Sequence, residues 1–103
     1  MSRPIRLDPE ARDELREAAR WYEARQVGLG LRFLERIDEA LRRAAMLGPE
    51  CHPVAGVSPE LGVRRILVRG FSYIVYIVEL PKAVRVLAIA HEHRKPGYWR
   101  RRL

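Results

Sequence analysis

A chain of 103 residues is long enough for one domain and too short for two. With 48% apolar and 32% charged residues it has the profile of a folded domain rather than a disordered one. No apolar run approaches the roughly 20 residues of a membrane-spanning helix. The net charge of +7 comes almost entirely from arginine, whose planar fork of donors suits phosphate and carboxylate. An acidic protein or a nucleic acid is the implied partner, although a GC-rich coding sequence produces the same arginine excess.

The N-terminal stretch MSRPIRLDPEARDE has no apolar segment, so no signal peptide is expected. Residues 3–7 alternate and read as a short strand. Asp8-Pro9-Glu10 is a helix start: Asp8 can cap, Pro9 fits the first helical position and Glu10 suits the positive end of the dipole. Ala11, Leu15, Ala18 and Tyr22 then fall at helical spacing to about Arg25. The faces carrying Arg12, Asp13, Arg16, Glu17, Arg20 and Glu23 are expected in solvent. Val27-Gly28-Leu29-Gly30 makes a turn.

A second helix is predicted from about Leu29 to Leu47, with Phe33, Leu34, Ile37, Leu41, Ala44 and Ala45 as its stripe and Gly48-Pro49 as its stop. The two helices should pair as an antiparallel hairpin. Residues 48–62 read as a loop. VRRILVR, SYIVYIVEL and AVRVLAIAH are three strands joined by hairpin-sized turns. The expectation is an α+β fold: a short N-terminal strand, then a helical hairpin packed on a mainly antiparallel sheet of three to four strands. One domain spans residues 1–103. Leu15, Tyr22, Leu34, Ile37, Leu41, Ile66, Val75 and Val86 are its expected core. The basic, aromatic tail HEHRKPGYWRRRL either adds a short helix after Pro96 or stays mobile.

No phosphate-binding glycine loop and no zinc spacing is present. His91 and His93 could bind a metal together, but without a third ligand two surface histidines are favoured. Cys51, the only cysteine, leaves no disulfide within the chain, as suits a reducing cytoplasm. Its neighbour His52 does not make it a nucleophile, since adjacent side chains rarely form such a pair.

The more informative pattern is arginine interleaved with aromatics around the strands. Alternation puts Val63, Arg65, Leu67 and Arg69 on one face, and Arg85, Leu87, Ile89, His91 and His93 on one face of the last strand. Tyr73, Tyr76, Tyr98 and Trp99 lie near these strands and the tail. Such a set can stack bases and hold phosphates, or clamp an acidic peptide. The plainer reading packs Tyr73 and Tyr76 in the core and leaves the arginines in solvent.

Read together, three segments resemble the RelE/ParE family of toxins from type II toxin–antitoxin systems. DPEARDELREAARWY is similar to that family's first helix. Arg65 followed by GFSYIVYIVE is similar to its Arg…(F-P-Y-x-x-Y) strand. VRVLAIAHEHRKPGYW is similar to its closing (L-x-x-x-H-x-R-R-x-P-x-x-W) segment. Order and spacing match over nearly the whole chain.

The resemblance implies a cognate antitoxin, encoded beside the gene, that wraps the toxin with an extended, often acidic segment. It further implies growth inhibition, plasmid stabilisation and a cytoplasmic location, with no membrane and no cofactor. RelE-like members cut mRNA in the ribosomal A site, whereas ParE-like members poison DNA gyrase without a catalytic site of their own. The ribonuclease branch carries lysines before the second strand, arginines on the third and after the fourth, and a tail tyrosine. Residues 48–62 contain no lysine or arginine, and the third-strand arginine falls on Ile74. Arg94 and Tyr98 match the other two. The resemblance therefore favours a ParE-like gyrase inhibitor, with Arg65, Tyr73, Arg94, Tyr98 and Trp99 as target-binding residues. The alternative is a ribosome-dependent mRNA endonuclease with His91 and Arg94 as its catalytic pair.

Overall fold

Helix formation begins where the sequence places it. In the computed structural model, which describes residues 3–46, 48 and 51–103, helix α1 runs over Pro9–Arg25, with Glu10 in its first turn and Arg25 in its last. Asp8 occupies the N-cap position, but its side chain makes no cap. Both of its oxygens instead accept from Arg85, at 2.9 and 2.8 Å. A bidentate charge-assisted pair outweighs a single cap hydrogen bond. Ala11 and Ala18 are buried, and Leu15 and Tyr22 pack against the same core, as the spacing implies.

Helix α2, Leu29–Ala45, follows a tight corner in which Gly28 takes a left-handed φ of 89°. The Glu23 carboxylate accepts from the N–H of Gly28 and of Gly30 at 3.0–3.1 Å. It satisfies donors that the first turn of a helix leaves open. The Arg3 N–H reaches the Ala45 carbonyl at 3.3 Å, so α2 ends beside the start of the chain and the hairpin is antiparallel.

The buried stripe of α2 is Phe33, Ile37, Ala40 and Ala44. Leu34, expected in the core, is 39% exposed. It lies about 100° around the helix from Phe33, past the edge of the covered face. Leu41 and Tyr22 are partly buried rather than enclosed. Leu47 and the Pro49 of the stop signal lie outside the described residues.

The sheet has five strands, Ile5–Leu7 (β1), His52–Pro53 (β2), Val63–Leu67 (β3), Tyr73–Glu79 (β4) and Val84–His91 (β5), in the order β1-β5-β4-β3-β2. β1 is parallel to β5, and the other pairs are antiparallel. The fifth strand is β2, inside the segment read as loop. Its two residues pair with Arg64 and Arg65, and Pro53, with no N–H to donate, is tolerated because it stands on the edge.

Simple alternation fails on β5. Val75 faces Ile89 and Tyr76 faces Ala88, but Ile77 faces Val86, leaving Leu87 without a partner on β4. This bulge flips the side chains beyond it. Arg85 and Leu87 therefore do not share a face with Ile89 and His91, contrary to the sequence reading. Val84, Val86 and Ile89 pack under the helices with Ile66, Val75 and Ile77. Leu87 and Ala88 turn to the other face, where they are buried with Val63, Val78 and Trp99. The tail is neither an α-helix nor uncovered chain. It crosses that second face and closes with a 3-10 turn over Arg100–Arg102.

Candidate functional site

α1 presents Glu14, Glu17, Ala18, Trp21 and Tyr22 at spacings of three and four, so they share one helical face. That face looks across a hollow of about 320 Å³ to Tyr73 at the start of β4, Ile89 and His91 at the end of β5, and Arg94 in the turn beyond. The volume lies within the range of ligand-sized pockets. The Arg94 N–H donates to the His91 carbonyl at 3.0 Å, which fixes the turn that carries Arg94 back to the pocket.

Glu14 organises this end of the molecule. Its Oε1 accepts from the backbone N–H of Ile89 at 3.0 Å and from Arg102 Nη1 at 2.9 Å. Its Oε2 accepts from the Tyr98 hydroxyl at 2.6 Å and from Arg102 Nη2 at 3.1 Å. Arg94 Nη1 stands 3.9 Å from the same oxygen, and its guanidinium lies 4.0 Å over the Tyr98 ring. One carboxylate thus ties α1, β5 and the tail together. Burial, and then the hydrogen bond to Glu14, push the Tyr98 hydroxyl well above the ordinary tyrosine range. The hydrogen bond to Glu14 likewise raises Arg102.

Aromatic packing fixes the pocket wall. Tyr22 meets Phe33 and Phe71 at 5.1 and 4.9 Å between ring centroids, and Tyr73 meets Phe33 at 5.0 Å. Burial, with the nearby Tyr22 and Glu14, raises the Tyr73 hydroxyl. The His91 ring stands edge-on to Tyr73 at 5.4 Å, and its Nδ1 accepts from the His93 N–H at 3.1 Å. The rings of His91 and His93 are 5.1 Å apart. Among the described residues no group of three or more His, Cys, Asp or Glu is placed to hold a metal ion.

The residues singled out in the sequence separate into three places. Tyr73, His91 and Arg94 come together in the pocket. Tyr98 adjoins it, but its hydroxyl is committed to Glu14. Trp99 is 1% exposed and lies against Tyr76 at 4.9 Å on the opposite face of the sheet, so it has no surface to offer a partner. Arg65 is exposed on that opposite face, paired with Tyr76 and His52. Glu14, Glu17 and Trp21 were not among the candidates, and Glu17 was assigned to solvent. The available signal was spacing: Glu14, Ala18 and Tyr22 stand four apart, which puts a carboxylate on the border of the apolar stripe.

The description "ParE toxin of type II toxin-antitoxin system, parDE" belongs to a family model that matches residues 5–96. The fold is similar to a solved structure titled "Chromosomal ParDE TA system from P. aeruginosa", with a TM-score of 0.68 and 15% identity over 87% of this chain and 96% of that one. No curated protein matches significantly. With a match over nearly its whole length and the two-helix, five-strand architecture to go with it, the chain belongs to the ParE toxin family of type II toxin–antitoxin systems.

Proposed function

We propose that residues 1–103 form one toxin domain that binds and inhibits DNA gyrase without chemistry of its own, and that a cognate antitoxin encoded beside the gene neutralises it. The commitment of Tyr98 and Arg102 to Glu14 carries the non-catalytic part of this reading. Cleavage of RNA by its 2′-OH needs a base for that hydroxyl and free positive charge at the phosphate. The Tyr98 hydroxyl donates to a carboxylate and is shifted away from ionisation. Ile74 brings neither charge nor proton, and residues 48–62 bring no lysine or arginine. Arg65, Tyr73 and Arg94 remain as target-binding residues, with Tyr98 supporting Arg94 from below. The reading places the toxin in the cytoplasm and needs no cofactor and no membrane. The net charge of +7 speeds encounter with an acidic antitoxin segment.

A specific observation favours a second reading: His91 and Arg94, the catalytic pair of a ribosome-dependent mRNA endonuclease, do line one pocket. Expression of the chain with and without its neighbouring gene separates the two. Gyrase inhibition gives cleaved DNA trapped on gyrase, an SOS response and intact mRNA. Cuts in A-site codons that disappear in His91→Ala or Arg94→Ala overturn the gyrase reading. Failure of any adjacent gene product to co-purify with the chain overturns the antitoxin.

A further inference from the structure

The side of the sheet turned away from the helices is only partly covered. Alternation along β3 and β4 puts Arg65, Leu67, Ile74 and Tyr76 on this side. Tyr76 is held by Trp99 at 4.9 Å, but Leu67 and Ile74 belong to neither buried cluster. They stand opposite one another in the β3–β4 register, where facing side chains meet. Leu67 is 56% exposed and Ile74 half-buried, so the pair forms an uncovered aliphatic step at the β3–β4 turn.

Charge on this side of β3–β5 has one sign, carried by Arg65 and Arg85. Arg85 is taken up by Asp8 at 2.8 Å, whereas Arg65 is exposed and makes no ion pair among the described residues. The one carboxylate in these strands, Glu79, lies instead toward Arg3 and Arg64, at 3.2 and 3.6 Å. An unpaired arginine beside an uncovered aliphatic pair has the composition of a protein interface. It suits nucleic acid poorly: leucine and isoleucine offer no ring on which a base can stack, and one cation holds few phosphates. It suits a second copy poorly too, because each copy brings the same unpaired arginine and a net charge of +7.

We infer that this open corner of the sheet docks the toxin's protein target, through an acidic surface that lays an apolar side chain over Leu67 and Ile74 and a carboxylate against Arg65. The inference rests on the reading of the chain as a toxin that acts by binding. Two observations favour the target over the antitoxin. The helices carry an apolar strip of their own, with Leu31 62% and Leu34 39% exposed along a groove that Ala19 also lines. A partner seated there leaves the far side of the sheet open. The corner also lies at the end of the sheet that holds the other target-binding candidates: Ile74 follows Tyr73, and Ala90, its partner on β5, precedes His91. A target that grips this end meets Arg65 on one side of the sheet and Arg94 on the other.

Leu67→Asp and Arg65→Glu test it. Lys82→Glu, at an exposed position in the β4–β5 turn, controls for net charge. Growth on induction, inhibition of purified gyrase and co-purification with the neighbouring gene's product are measured for each variant. Urea midpoints near that of the wild type show that the fold is kept, and Leu67→Ser replaces Leu67→Asp if that variant does not fold. Leu67→Asp and Arg65→Glu should raise the concentration that halves gyrase activity at least about tenfold. They should no longer arrest growth, yet still co-purify with the antitoxin, while Lys82→Glu behaves as the wild type. If the wild type stops growth without inhibiting gyrase, the gyrase reading falls, and the growth of the variants still decides the docking face. The inference is overturned by folded variants as toxic as the wild type, by a wild type without effect on growth, or by equal loss of antitoxin binding. Cuts in mRNA that the variants abolish would give the face to RNA and overturn it as well.

Discussion

Replacing Glu14 with glutamine keeps its volume and removes the charge on which Arg102 and Tyr98 converge. Its side chain is 13% exposed and that of Arg102 8%, so water cannot take over the lost role. Hydrogen bonds to charged groups contribute about 1.5–3 kcal/mol each, and breaking one side of a buried pair costs about 3–5 kcal/mol. Glu14→Gln should therefore lower stability by about 3 kcal/mol in urea unfolding. Adding Arg102→Met to it should cost little more, because the pair is already broken. A loss below about 1 kcal/mol would mean that other contacts hold the tail.

Tyr98 adds a pH dependence of definite sign. Its folded-state pKa is raised above the ordinary 10.0, so the unfolded chain gives up this proton first. The stability it contributes is complete below about pH 10 and is lost as pH rises beyond that. Tyr73 and Tyr22 are shifted the same way by burial. Urea midpoints measured between about pH 8 and 11 should fall at the alkaline end, and fall less steeply in Tyr98→Phe.

At the scale of elements, the α1–α2 crossing depends on Gly30. A Cβ there would lie 2.7 Å from the Ala19 carbonyl oxygen and 3.0 Å from the Glu23 Cβ. Alanine is the better helix former by about 1 kcal/mol, yet overpacking costs about 1–3 kcal/mol. Gly30→Ala should thus destabilise, although propensity alone points the other way. Along α2, Ile37→Ala should cost about 2–5 kcal/mol and Leu34→Ala less than about 1 kcal/mol, since Ile37 is 1% exposed and Leu34 39%. Chemical denaturation of the three variants checks both statements.

Both helices were legible in the sequence because a 3.6-residue period records which side is covered. The strands were legible as β-branched runs. The β5 bulge was not, because Leu87 and its neighbours are all apolar and alternation carries no mark of an inserted residue. Nor was β2, since two residues of an edge pairing have no period. Around the pocket, residue type singled out His91, Arg94 and Tyr73, which line it together, whereas Glu14 resembled any other charged helical residue until the fold placed four donors around it.

At the scale of the molecule, the helices cover one face of the sheet, and the tail, with Val54 and Val57, covers part of the other. Trp99 is the largest side chain of the second cover. Its indole closes over Val63, Val78, Leu87 and Ala88, a contact that residue types alone could not announce because the partners lie on three strands. Trp99→Ala should cost about 3–5 kcal/mol and expose an apolar sheet face that binds a hydrophobic dye. An unchanged melting temperature without dye binding would show that the tail is not needed to cover it.

The pairing of β1 with β5 joins Ile5 to Val84, and the reach of Arg102 to Glu14 spans 88 positions. The helical hairpin, by contrast, is built from neighbours in sequence, and local structure forms fastest. On a chain made from its N-terminus at about 5–20 residues per second, α1 and α2 are complete while the residues that seat them on the sheet are still unmade. Tyr73, His91 and Arg94 arrive later still. A partner able to grip the helices alone would find its surface on the nascent chain before the pocket exists.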